Sequence, residues 1–413
     1  MERIVVGRDQ SDMKTYGDTG TLFIGKHIVG KGEDAHLTTR VLLDAIRPHV
    51  ITICGKRGSG KSFSLGVFVE ELFKVEEDLR DRLCSVMIDT QGIFWTMKNS
   101  DEENLALLKE WKLEPRGFNT SVYVPAGQKK TFEGAGVDFD DVFSFSPAEL
   151  TSDDWLNVFE LDAVSGEGII LEKVISRLKV KENYSLQDII DSIDKERGFE
   201  KEKLALENMF IAAQGWGIFS EGTKAPEVLV GGKISILDVS LTPQSVRSLL
   251  IALVSRKILS ERIKARRQEE LVKIELVEKN KVPMCWILID EAHNFAPSEG
   301  TVASSEIMGR LVKEGRQPGI STVFATQRPE KLHPDILAQS DIVLSHRLTS
   351  KADIDALRAI MQTYMMWDIT KYLNELPRLK GTAIILDDST ERPYKIRVRP
   401  RQSWHAGASP TAI

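Results

Sequence analysis

Only three cysteines occur in the 413 residues, Cys54, Cys84 and Cys285, far apart and each inside a strand-like apolar run. They read as reduced, packed thiols of a cytoplasmic protein, neither metal ligands nor disulfide partners. No apolar run approaches the roughly 18 residues a membrane helix needs, so no membrane association is expected. The opening MERIVVGRDQSDMK lacks an apolar h-region, so no secretory signal is expected. Positive charge is not in surplus either, the formal net charge being −6. A surface that is basic everywhere is thereby excluded, and any nucleic-acid contact must be local. Repeats and low-complexity linkers are lacking too. The remainder has ordinary globular composition, long enough for two or three domains or for one core with a large insertion.

What is present begins with HVITIC, a strand-like run leading into GKRGSGKS at 55–62 and a helix-like run from Ser62 to Lys74. A second strand, CSVMIDTQG, follows at 84–92, which completes the βαβ signature of a parallel sheet. Residues 101–225 change character: apolar spacing near 3.6 recurs from EENLALLKEWKL to KLALENMFIAAQ. Strand patterns resume with KISILDVS (233–240), CWILIDEAHNF (285–295), GISTVFATQ (319–327), DIVLSHRL (341–348) and GTAIILDD. The expected fold is α/β, a RecA-like P-loop NTPase core with a mainly parallel sheet at 50–100 and 226–400. A short N-terminal β segment (1–49), a helical insertion (101–225) and a C-terminal tail (401–413) complete it.

GKRGSGKS fits G-x-x-x-x-G-K-[ST] at Gly55, Gly60, Lys61 and Ser62. Glycines let backbone N–H groups turn inward as an anion nest, and the helix that follows points its positive end at phosphate. Lys61 reaches the β- and γ-phosphates, and the Ser62 hydroxyl ligates Mg²⁺. Gly58, Ser59 and Phe63 complete the segment expected against the nucleotide. Asp290 and Glu291 end an apolar strand, where one carboxylate holds Mg²⁺ and the other polarises the attacking water. Gln327, closing STVFATQ, reaches the γ-phosphate if its strand neighbours CWILID. Arg316 in KEGRQPG is a candidate arginine finger. Arg347 in SHRL divides evenly between a finger and a structural ion pair.

Together HVITICGKRGSGKS, ISILDVSLTPQSVRSLLIALVSRKIL, WILIDEAHNFAP, the block at 312–357 and GTAIILDDSTERPYKIRVRP resemble the HerA–FtsK superfamily of ring-forming DNA-pumping ATPases, HerA most closely. The block at 312–357 is the most specific of these. The resemblance implies ATP with Mg²⁺ as cofactors and a homohexamer around double-stranded DNA. It assigns Lys61 and Ser62 to phosphate and Mg²⁺, Asp290 to the Walker-B acid and Glu291 to the catalytic glutamate. It makes Gln327 the sensor and Arg316 an inter-subunit finger. HerA-like proteins usually begin with a complete small β-barrel that helps recruit a nuclease; only about 50 residues precede the loop here. The identity of the nuclease or other effector is therefore left open.

A translocase grips phosphates without reading sequence. Candidate contacts are Trp95 and Lys98 in FWTMKNS, and Thr301 and Ser304 in SEGTVASSE. Trp95 also reads as a core residue. The run RKILSERIKARR also reads as a solvated helix face balanced by the following acids, and KIRVRPR as DNA-facing or as a brace for a neighbouring subunit. Two functions stay in view: an ATP-driven DNA translocase serving DNA-end processing or antiphage defence, and a regulatory ATP-binding ring that scaffolds an effector enzyme.

Overall fold

Every side chain of Val50–Cys54, Leu83–Asp89 and Ile320–Thr326 is buried. Strands buried throughout read as unbroken apolar runs, the mark of a parallel sheet with both faces covered. A computed structural model describes residues 3–30, 34–220, 222–274, 282–360 and 369–407 and places these strands side by side.

In chain order the strands are β1 (Ile4–Val6), β2 (Thr21–Val29), β3 (His36–Asp44), β4 (Val50–Cys54), β5 (Leu83–Asp89), β6 (Thr120–Pro125) and β7 (Asp141–Phe143). They continue as β8 (Ile234–Asp238), β9 (Met284–Ile289), β10 (Ile320–Thr326), β11 (Ile342–His346), β12 (Thr382–Asp387) and β13 (Arg392–Val398). Their order in the single sheet is β1-β3-β2-β13-β12-β11-β4-β10-β9-β5-β8-β6-β7. From β11 to β7 all pairings are parallel, and antiparallel pairs then carry the sheet from β11 through β12, β13 and β2 to β3.

Alternation along each central strand feeds two cores. Val86, Ile88, Ile287 and Ile289 face the helical side. Ile51, Ile53, Met87, Trp286 and Leu288 face the helix Lys61–Lys74 and the N-terminal strands. The N-terminal segment is thus a continuation of the main sheet, with β2 zipped onto β13 through Ile396↔His27 and Val398↔Gly25.

The interval 101–225 is less helical than its periodicity predicts. SVYVP and DVF within it form β6 and β7 and extend the sheet, because β8 offers an unpaired edge. Its helices Ser152–Phe159, Gly166–Leu178, Leu186–Asp194 and Glu200–Gln214 pack around Trp155, whose ring lies 4.9 Å from Phe210 and 5.4 Å from Phe219. The first and third begin with capping boxes, Thr151 with Asp154 and Ser185 with Asp188, satisfying backbone N–H groups that have no intrahelical acceptor.

Candidate nucleotide site

The parallel strands deliver their C-terminal ends to one edge, where open α/β sheets bind ligands. β4 runs into the glycine loop there. Gly58 and Gly60 hold φ of +73° and +115°, which other residues rarely adopt. Gly55 is needed for space: a Cβ would lie 2.3 Å from Ser59 Oγ and 2.7 Å from His346 Cβ. The loop is tied to both neighbouring strands, since Gly55 N–H donates to the Thr326 carbonyl and Lys56 N–H to that of Arg347, each at 3.3 Å.

Gly60 caps the helix Lys61–Lys74, so Lys61 and Ser62 occupy its first turn. Lys61 is buried, and its ammonium donates to the Lys56 carbonyl at 3.4 Å. Ser62 Oγ donates to Asp290 Oδ2 at 2.8 Å, joining residues 228 positions apart. Burial raises the Asp290 pKa, partly offset by Ser62, the Glu291 N–H and Lys61. A serine hydroxyl beside a buried carboxylate is a hard-oxygen pair that suits Mg²⁺, which such sites share with substrate phosphates.

Glu291 adopts φ +50°, a left-handed backbone that costs a non-glycine residue of order 1–3 kcal/mol. Its carboxyl is mostly buried, and Oε2 has no hydrogen-bond partner among the described residues. Burial and then the neighbouring Asp290 charge push its pKa up, while hydrogen bonding with Gln327 holds it down. Gln327 reaches it because β10 lies beside β9, with Phe324 level with Ile289. His293 completes this corner, its Nδ1 lying 3.1 Å from Thr326 Oγ1 and 3.5 Å from Glu291 Oε2. Burial and Arg328 lower its pKa to about 4, so it is neutral near pH 7.

Two neighbours of this site were not singled out as site residues from sequence. His346 lies under the loop, Nε2 2.9 Å from Ser64 Oγ and Nδ1 3.1 Å from the Thr382 carbonyl. Burial lowers its pKa to about 4, so it braces the loop as a neutral ring. Its signal in the sequence was the strand end SHRL, where it stands one residue before Arg347. Asp89, level with Asp290 across β5 and β9, accepts from the N–H groups of Gln91, Gly92, Ile93 and Phe94 at 2.7–3.0 Å. Burial, and then Asp238 at the end of β8, push its pKa up to about 7. The carboxylate paired with Asp89 therefore comes from another strand, β8.

The two arginines separate. Arg347 follows β11 at the loop edge and donates to the Leu376 carbonyl at 2.7 Å, a structural tie. Arg316 precedes β10, at the opposite edge of the sheet from its own Lys61. It donates to the Gln339 carbonyl at 3.2 Å and is 43% exposed along its side chain. The seven residues of β10 span roughly 20 Å at about 3.3 Å each, too far for Arg316 to reach its own loop.

Of the residues expected at DNA, Thr301 is exposed. Ser304 is not: it is fully buried, its hydroxyl donating to the Phe295 carbonyl at 2.7 Å and meeting Ser248 Oγ at 2.8 Å. Ser304 therefore anchors the loop and has no hydroxyl to offer a DNA phosphate. Lys98 sits between Asp138 and Asp140 at 3.1 Å each, and Trp95 packs partly buried against the core. In the basic run of the helix Gln244–Lys273, Lys257, Lys264 and Arg267 are exposed, as expected of a solvated face, and the other three basic residues are held within the chain. Arg262 is buried on the carbonyls of Pro318 and Val282, Arg256 pairs with Asp154, and Arg266 pairs with Glu269 and Glu270. No described helix is long and apolar enough to cross a membrane.

A family model for the central domain of the helicase HerA matches residues 22–258. A probable helicase of Methanocaldococcus jannaschii is 24% identical over 389 residues, covering 88% of this chain and 68% of that protein. The DNA double-strand break repair helicase HerA of Sulfurisphaera tokodaii is 22% identical over 406 residues, 97% of this chain and 74% of that one. Among solved structures, VirB4 of Thermoanaerobacter pseudethanolicus matches with a TM-score of 0.56 at 13% identity, over 91% of this chain and 97% of that chain. That likeness concerns the fold.

Proposed function

The chain belongs to the family of the HerA helicase central domain and is a P-loop ATPase; from this premise we propose that it is an ATP-driven translocase of double-stranded DNA, working as a homohexamer with a nuclease or other effector. The observation that carries the ATPase part is the Ser62–Asp290 hydrogen bond at 2.8 Å, beside a loop built for phosphate. In this reading residues 50–100 and 226–400 are the motor core, β6 and β7 extend its sheet, and the helices between Ser152 and Gln214 are an insertion carried on it.

Backbone N–H groups of Gly58 to Ser62 and the Lys61 ammonium receive the β- and γ-phosphates. Ser62 and Asp290 would hold Mg²⁺, which when bound would neutralise phosphate charge. Glu291 takes the proton of the attacking water, and its raised pKa brings it nearer to a base that works at neutral pH. Gln327 orients that water. Arg316, too far from its own loop, serves the site of the adjacent subunit, which makes hydrolysis depend on assembly.

Hydrolysis measured with and without linear duplex DNA, at low and moderate salt, tests the translocase. Strong stimulation that fades with salt supports it. A second reading, a regulatory ring controlling an effector with little pumping of its own, is favoured by the internal pairing of Lys98, Arg256 and Arg266. Turnover indifferent to DNA but responsive to a co-purified protein would select it.

A further inference from the structure

The residues RPRQSWH, 399–405, read as a basic tail from sequence. In the structure they lie as a strap along the helix Lys61–Lys74 and are bound to it through a fully buried acid, Glu70. Glu70 accepts from Arg399 Nη1 at 2.8 Å, from the N–H groups of Gln402 and Ser403 at 3.1 and 3.0 Å, and from Ser403 Oγ at 2.7 Å. Arg401 is equally buried and lies flat on Gly66, where a Cβ would sit 2.7 Å from its Cζ. These arginines therefore face neither DNA nor a neighbouring subunit.

This anchoring sets His405 edge-on to Phe63, ring centroids 5.5 Å apart at 88°. Arg401 Nη1 lies 3.0 Å from His405 Nδ1. An arginine only donates, so Nδ1 accepts and the ring proton sits on Nε2. Ile93, from the loop after β5, comes to the same corner, its Cδ1 3.4 Å from where a Gly407 Cβ would be. Phe63 immediately follows Ser62. A triphosphate whose β- and γ-groups lie in the loop has to lead its α-phosphate and nucleoside out past the first turn of this helix, where Phe63 stands.

We infer that Phe63 and His405 form the wall of a nucleoside subsite, so that the strap supplies base recognition for a purine nucleotide. An aromatic surface stacks on a purine. Burial and Arg401 lower the His405 pKa to about 3, so the wall stays uncharged across neutral pH. The inference rests on the loop being the triphosphate site.

Calorimetric binding of ATP and of inorganic tripolyphosphate, each with magnesium, to the full chain tests it. His405→Ala should weaken ATP about 5- to 10-fold, as the loss of one aromatic contact implies, and leave tripolyphosphate unchanged. His405→Phe should restore most of the ATP affinity, and the preference for ATP over UTP should narrow only in His405→Ala. Equal loss of both ligands, or no loss of either, overturns the inference. Should His405→Ala lower the melting temperature, the comparison rests on His405→Phe against His405→Leu, both of which fill the space. Lys61→Ala separates the two levels: it should weaken both ligands, and if both bind normally the triphosphate site itself is misassigned, whatever His405 does.

Discussion

Glu291 combines a left-handed backbone, a mostly buried carboxyl and an orphan Oε2, one corner of which faces Gln327. Strain of this sort persists where surroundings over-determine it, and here β9 and β10 supply those surroundings. Glu291→Gln keeps the shape and removes the base. Hydrolysis should fall about 10²- to 10⁴-fold with ATP binding retained, read by turnover beside equilibrium binding. Because burial and Asp290 raise its pKa, the carboxyl protonates earlier on acidification than an exposed glutamate, so turnover should fall from a higher pH. Acid loss at the ordinary glutamate pKa would contradict this role.

His49, just before β4, is a second residue with a legible sign. Burial opposes its charge, yet hydrogen bonds with Asp341 (Nδ1, 2.7 Å) and Asp44 (Nε2, 3.2 Å) outweigh burial and raise its pKa to about 9. Arg8, also paired with Asp44, shares the cluster. A raised pKa means a stabilising contribution that is complete below the ordinary value near 6.5 and lost as pH rises through about 9. The urea midpoint should therefore drop between pH 6.5 and 9.5, and His49→Gln should flatten that slope.

At the scale of elements, the helix Lys61–Lys74 carries Lys61 and Ser62 in its first turn and the strap's anchor, Glu70, further along. Glu70→Ala leaves Arg401 buried without its carboxylate and Arg399 with Glu71 alone, a change worth about 3–5 kcal/mol of destabilisation. Gly66→Ala pits two effects against each other. Alanine gains about 0.5–1 kcal/mol of helix preference. The new methyl, however, meets a guanidinium that cannot withdraw, since Arg401 is bonded to Ser403 Oγ at 2.8 Å and the Trp404 carbonyl at 3.0 Å. Net destabilisation by chemical denaturation is expected; a gain would mean the strap is loosely held.

For the whole molecule, Arg316 and Lys61 lie at opposite ends of the strands of one sheet, so in the proposed reading a single copy carries an incomplete set. Arg316→Ala should cut hydrolysis while sparing nucleotide binding. Mixed with Lys61→Ala copies, it should recover part of the lost turnover, because each then supplies what the other lacks. No recovery in mixtures that are shown to co-assemble would count against an inter-subunit finger.

Local chemistry was legible from the chain alone. The glycine loop, the buried strands and the Asp290–Glu291 strand end are patterns of consecutive residues, set by backbone sterics and by the period of burial. The unbroken apolar runs announced a covered parallel sheet for the same reason. Other features depend on which strands become neighbours. Ser62 meets Asp290, Asp89 meets Asp238, and His346 slips under the loop only because β11, β4, β10, β9, β5 and β8 stand in that order. The same ordering used up Ser304 and Lys98, which looked free in one dimension, and turned 399–405 from a basic tail into a strap. Burial and charge pairing act between residues distant in sequence, so only the tertiary structure decided which polar groups were left to do chemistry.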